Sequence, residues 1–104
     1  MIILNTTYYI HSSVDAEFRR WVRDEYFPSA LSQCGLQSPV FATLLIEPQE
    51  GMAGYAVQLS ATSREVAANW HDGPATALRS QLSSRFGQKV LFFTTYMETI
   101  DIDL

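Results

Sequence analysis

Glu25 is a carboxylate set among apolar neighbours. Val14, Phe18, Trp21, Val22 and Tyr26 recur at helical spacing, and at about 100° per residue Glu25 projects between Trp21, Phe18 and Val14. A carboxylate held there would be partly desolvated, its pKa would rise, and it would serve as a general base or as an anchor for a ligand. The competing role is structural: Pro28 ends the helix nearby, and Glu25 then reaches water or pairs with an arginine.

Asn5, Thr7 and Tyr9, with Gln58 and Ser60, are spaced to project from neighbouring strands to one sheet face. There they would contact a ligand or form a hydrogen-bonded interface layer. Trp21 and Trp70 belong to an aromatic set making up 12% of the chain, which either fills the core or lines a pocket for a flat, hydrophobic small molecule. His11 and His71 are the only histidines, and a metal site would need both to converge with a carboxylate; no short ligand motif suggests it, so no metal is expected. Cys34 is the single cysteine, which excludes an intramolecular disulfide and paired-thiolate zinc and fits a reducing compartment. With no basic group or helix N-terminus beside it, Cys34 is expected as a small buried residue and not a nucleophile. The chain has no glycine-rich phosphate loop, nucleophile elbow or metalloprotease helix.

The elements that must position these groups follow from periodicity. Ile2, Leu4, Tyr8 and Ile10 alternate with Asn5, Thr7, Tyr9 and His11, which makes residues 2–11 a strand. Ser12 or Ser13 is placed to cap a helix beginning near Val14, with Asp15 and Glu17 in its positive first turn. Pro28 lacks the amide needed to continue that helix and disfavours helical geometry at Phe27, so a kink or a fresh turn running to Cys34 is expected, ended by Gly35. Residues 40–47 and 55–61 read as two strands of an antiparallel hairpin across the turn residues 48–54. Thr62-Ser-Arg-Glu65 matches a capping box ahead of a helix through Trp70, and Ala75, Leu78, Leu82 and Phe86 resume helical spacing after Gly73-Pro74. Residues 90–97 are the last strand, followed by an acidic tail.

The order β-α-β-β-α-β with right-handed crossovers implies an α+β, ferredoxin-like fold over residues 1–104, a four-stranded antiparallel sheet with both helices on one face. The last strand is apolar on both sides, with Leu91, Phe93 and Met97 on one and Val90, Phe92 and Tyr96 on the other. An apolar sheet face left open on a small monomer is a liability, so a homodimer through the face away from the helices is expected. The chain has 104 residues, 47% hydrophobic and 17% charged, enough for one packed core. Its net charge of −4 disfavours nucleic acid, no run is long and apolar enough for a membrane span, and the N-terminus lacks a targeting signature, so a cytoplasmic location is expected.

Arg20-Trp-Val-Arg-Asp-Glu-Tyr-Phe-Pro28, then Pro39-Val-Phe-Ala-Thr-Leu-Leu45, then Leu78-Arg79 and Arg85-Phe-Gly-Gln-Lys-Val-Leu-Phe-Phe-Thr-Thr95, together resemble the uncharacterised bacterial family known as domain of unknown function 4286. The resemblance covers nearly the whole chain. It implies a dimeric α/β barrel, in a superfamily that also holds cofactor-free antibiotic-biosynthesis monooxygenases and haem-degrading monooxygenases. The haem-degrading relatives use a first-strand asparagine, a tryptophan on the second helix and a histidine further along it; Asn5 and Trp70 match two of these, but residues 76–84 contain no histidine. No cofactor is therefore expected. Two functions stay open: a dimeric protein that binds a small, largely apolar ligand or acts as an interaction module, and a cofactor-independent monooxygenase-like enzyme in which Glu25 or a tyrosine handles the proton.

Overall fold

The computed structural model describes residues 1–103. Strand β1 (Ile2–His11) runs through the middle of a four-stranded sheet of order β2-β3-β1-β4, flanked by β3 (Met52–Ala61) and β4 (Val90–Glu98), with β2 (Leu36–Thr43) at the edge. All three pairings are antiparallel. Helical segments α1 (Asp15–Trp21) and α2 (Phe27–Leu31) lie between β1 and β2, and α3 (Arg64–Asp72) and α4 (Pro74–Phe86) lie between β3 and β4. This α+β architecture is consistent with a ferredoxin-like fold.

Alternation along β1 decides which face is buried. Ile2, Leu4, Thr6, Tyr8 and Ile10 are buried, whereas Ile3, Asn5, Thr7 and Tyr9 are half-buried on the opposite face. Register carries that division across the sheet: Tyr8 faces Tyr55 and Phe92, and Leu4 faces Leu59 and Tyr96. The helices pack on the Tyr8 side. Phe18 stacks on Tyr55 with ring centroids 5.6 Å apart, sits 4.9 Å from Tyr8 and meets Phe86 of α4 edge-on at 6.5 Å.

The first helical segment departs from the expected register. Residues Val22–Tyr26 form a π-turn in which the Phe27 N–H reaches back to the Val22 carbonyl. The helix neither stops nor restarts at Pro28: Phe27 is helical, at φ −63 and ψ −43, and Pro28 lies in the first turn of α2. The wide turn absorbs the proline's missing amide. The core-facing positions run Phe18, Trp21, Val22, Tyr26 and Ala30, and Glu25 is not among them.

Three expected boundaries move. Helix α3 is capped by Ser63, whose Oγ accepts from the Val66 N–H at 3.1 Å; Thr62 is instead tied to the start of β2, its N–H donating to the Gly35 carbonyl at 3.1 Å. Ahead of α1 a short 3-10 turn, Ser12–Val14, is capped by the His11 ring, which accepts from the Ser13 N–H, and α1 itself starts after Val14 with no side-chain cap from Ser12 or Ser13. Strand β2 spans residues 36–43 and not 40–47. Between Gln37 and Val40 the strand carries a bulge with Ser38 at φ 56, which accommodates Pro39 on an edge strand and keeps Phe41 on the core side, 5.2 Å from Tyr55. Beyond Thr43 no strand covers the chain, leaving Leu45 and Ile46 exposed.

Gly35 has φ 91, and a Cβ there would lie 2.9 Å from Thr62 Oγ1 and 3.1 Å from a Val66 methyl. The tight return from α2 into β2 against the start of α3 therefore requires glycine.

A candidate functional site between the sheet and the helices

Between the β1–β4 side of the sheet and the helices lies an enclosed slit lined by Thr6, Tyr8, Phe92 and Thr94 from the strands and Trp21, Tyr26, Trp70, His71, Ala75, Leu78 and Arg79 from the helices. Its free space is about 10 Å³, roughly the room of a single water. Register builds the floor, since Thr6 pairs opposite Thr94 and their hydroxyls hydrogen-bond at 2.9 Å. The π-turn builds one wall by turning Tyr26 inward, 5.6 Å from Trp21 and 6.0 Å from Trp70.

Trp21 and Trp70 are each 2% exposed; among the described residues the Trp21 indole Nε1–H finds no acceptor, and the Trp70 Nε1–H lies beside the Tyr26 hydroxyl without completing a well-formed hydrogen bond. Leaving such a donor unpaired costs about 1–3 kcal/mol, so the Trp21 indole above all calls for an acceptor.

Arg79 closes the slit. Its Nη2 donates to the His71 carbonyl at 2.8 Å, and its Nη1 lies 3.2 Å from His71 Nδ1. Because a guanidinium only donates, Nδ1 is the acceptor and the imidazole proton sits on Nε2. Burial, reinforced by the Arg79 charge, holds the His71 pKa below its ordinary value, with Asp72 acting weakly against them. The His71 ring stands edge-on to Tyr96 at 5.6 Å. Burial pushes the Tyr8 phenol well above its ordinary pKa, helped by neighbouring Tyr26, and burial likewise raises Tyr26. Both phenols stay protonated at neutral pH. The slit is thus rich in donors, contains one fixed cation, and no residue lining it is acidic.

Comparison with known proteins agrees with this architecture. A family model described as Domain of unknown function (DUF4286) matches residues 1–100. The chain belongs to the DUF4286 family. No curated protein matches the sequence significantly. Among solved structures, an ethyl tert-butyl ether degradation (EthD) family protein from Bacillus halodurans C-125 superposes with a TM-score of 0.63 at 11% identity, covering 96% of this chain and 100% of the other. At that identity the similarity speaks to fold alone.

The five residues singled out by sequence fall in three places on this DUF4286 chain. Trp21 and Trp70 meet in the slit. Asn5 and Tyr9 lie on the opposite sheet face, where Gln58 Nε2 donates to Asn5 Oδ1 at 3.2 Å and Asn5 Nδ2 donates to Thr7 Oγ1 at 3.2 Å. Asn5 and Trp70 therefore stand on opposite sides of β1 and do not share one pocket. Glu25 is on the surface: Arg85 Nη1 donates to its Oε2 at 2.8 Å, both side chains are substantially solvated, and together they line an open groove with Glu17, Arg20 and Asp24 that Trp21 also borders, on the side away from Trp70. It is not the desolvated carboxylate that the helical projection suggests, because the π-turn rotates it off the buried stripe.

Cys34 is exposed, against the expectation of burial, because it falls in the turn after α2. His11 caps the first helical turn, far from any role with His71, and no cluster of three metal-ligating side chains occurs among the described residues. Sequence reasoning missed Arg79. The available signal was its place beside Leu78 in the apolar stripe of α4, where a cation is close to the core but free to point across to the end of α3.

Proposed function

We propose that the protein is a homodimeric α/β barrel, one domain over residues 1–104, that binds a small, largely apolar molecule in the slit between sheet and helices. The observation that carries the ligand reading is the partnerless indole N–H of Trp21 in an aromatic lining that also holds Trp70. The dimer reading rests on the outer sheet face. Leu91, Phe93 and Met97 of β4 are 56%, 52% and 40% exposed, Val40 of β2 is 46% exposed, and the half-buried Asn5, Thr7 and Gln58 between them already satisfy one another. An apolar rim around a hydrogen-bonded centre suits face-to-face packing of a second copy. The net charge of −4 supports no nucleic-acid role, the lone Cys34 is compatible with a cytoplasmic location, and no helix among the described residues is long and apolar enough to cross a membrane.

A binding role is favoured over monooxygenase-like catalysis by the proton chemistry of the slit. Glu25 is outside it, and Tyr8 and Tyr26 are held protonated. The remaining acceptor, His71 Nδ1, is engaged by Arg79.

Native mass spectrometry of freshly purified protein tests both parts. The expected result is a dimer carrying a reproducible extra mass that is lost on denaturation. A monomer at micromolar concentration would remove the barrel reading.

A further inference from the structure

The outer sheet face carries its polar groups at its middle. One rung crosses all four strands, since Val40 of β2 pairs with Gln58 of β3, Gln58 with Asn5 of β1, and Asn5 with Thr95 of β4. The inner strands are β1 and β3, and Asn5 and Thr7 are the middle two of the four half-buried residues, Ile3 to Tyr9, that β1 presents on this side. Hydrogen bonds within this centre use only part of its capacity. Gln58 donates one N–H to Asn5, and Asn5 donates one N–H to Thr7. Among the described residues this leaves a second N–H on each amide, the Gln58 Oε1 and the Thr7 hydroxyl proton without a partner in the chain. No residue on the outward rungs from Ile3 to Tyr9 is charged.

Resting on the reading of this face as the homodimer contact, we infer that the cluster of Asn5, Thr7 and Gln58 selects the partner and sets the register of docking, by hydrogen-bonding the same cluster of a second copy across the two-fold axis. A two-fold contact maps its patch onto itself, so the axis crosses the middle of the patch and residues there meet their own copies. Amides suit that position because each carries both donor and acceptor and pairs with its own kind. An apolar partner surface would strip water from these groups and return no hydrogen bond, and a charged one would find no opposite charge on the face. A second copy answers both parts of the face. Its rim of Val40, Leu91, Phe93 and Met97 offers apolar area for burial, and its centre offers the missing donors and acceptors. The rim then provides the attraction and the centre the selection, since an apolar face alone packs in several registers of similar energy.

The test first maps the axis. Single cysteines are placed on the face of the full chain carrying Cys34→Ser, which removes the one native thiol, and treated with a bismaleimide matched to the roughly 10 Å between packed sheets. Thr7→Cys is expected to crosslink to its own copy. Of Leu91→Cys and Met97→Cys, near opposite ends of β4, at most one is expected to do so, because one straight axis through the centre cannot pass both. The second arm removes the polar centre. Asn5→Leu combined with Gln58→Leu is expected to stay dimeric by sedimentation, while its amide NMR spectrum, one signal per residue in the native dimer, doubles or broadens over β1 and β3. Gln58→Leu alone leaves the Asn5 amides short of partners and is expected to weaken the dimer about tenfold or more. Circular dichroism confirms folding of each variant, and crosslinking at Thr7 carries the test if a leucine variant does not fold. A native dimer in which Thr7→Cys does not crosslink, or a doubly substituted dimer that keeps a single set of signals, would overturn the selecting role while leaving the homodimer. A native protein that sediments as a monomer would remove the dimer reading and this inference with it.

Discussion

Arg79 grips His71 at two points, its Nη2 on the backbone carbonyl at 2.8 Å and its Nη1 on the ring Nδ1 at 3.2 Å. Because α3 and α4 meet at Gly73, this one side chain ties the end of one helix to the first turns of the next. Burial of the His71 ring, and after it the guanidinium facing Nδ1, favours the neutral imidazole in the folded chain over the unfolded one. The unfolded state then binds more protons, and this contribution to stability is complete above the ordinary histidine value of 6.5 and is lost as pH falls through the lower folded value. Denaturant unfolding at a series of pH values should show stability declining below about pH 6.5. His71→Asn, which retains an acceptor for Arg79, should flatten the upper part of that slope.

The two buried indoles make a different demand. Trp70→Phe removes a buried donor that makes no well-formed hydrogen bond and some packing volume with it; the two effects oppose each other, and the net loss should stay within about 1.5 kcal/mol. Phe18→Ala has no such offset. Phe18 is 0% exposed and touches aromatics from the sheet and from α4, so its loss should cost about 3–5 kcal/mol. Urea unfolding of the two variants side by side measures the contrast, and a Trp70→Phe loss as large as that of Phe18→Ala would mean that the indole N–H is normally satisfied.

Glu25→Gln should change stability by less than about 1 kcal/mol, because its ion pair with Arg85 is largely solvated. Urea unfolding measures it, and a larger change would return Glu25 to the buried part of the helix.

Gly35→Ala places a side chain at φ 91 and brings its Cβ to 2.9 Å from Thr62 Oγ1. Left-handed strain and the steric contact together should cost about 1–3 kcal/mol, read as a shift in the urea midpoint without a change in slope.

Phe93→Arg puts a charge into the exposed apolar rim of the outer sheet face, where Phe93 lies 6.3 Å from Tyr9. Sedimentation should then show a monomer whose circular dichroism is still native, since the ring contributes nothing to the buried core. A variant with unchanged mass would place the subunit contact elsewhere.

Much of the fold was legible from short-range physics. Period-two alternation in residues 2–11 and 55–61 is read from side-chain type alone, and the apolar stripe Ala75, Leu78, Leu82 and Phe86 requires only helical spacing. The bulge at Ser38 was not legible, because Pro39 reads as a strand breaker unless the strand is known to lie at a sheet edge. The cap shifted from Thr62 to Ser63 for a similar reason: both residues can cap, and the choice depends on the contact of Thr62 with Gly35, far away in sequence.

The candidate site divides in the same way. The sequence by itself determined that Trp21 and Trp70 face a common interior, since each sits on the apolar side of its own helix. Which carboxylate or cation joined them was decided only by tertiary structure. A single wide turn at Val22–Tyr26 kept Tyr26 on the buried side and left Glu25 on the surface beside Arg85, and the meeting of two helices at Gly73 carried Arg79 to the mouth of the slit. Local periodicity records where a residue would point on an ideal helix, whereas a π-turn and a long flexible side chain answer to packing across elements, which no spacing along the chain encodes.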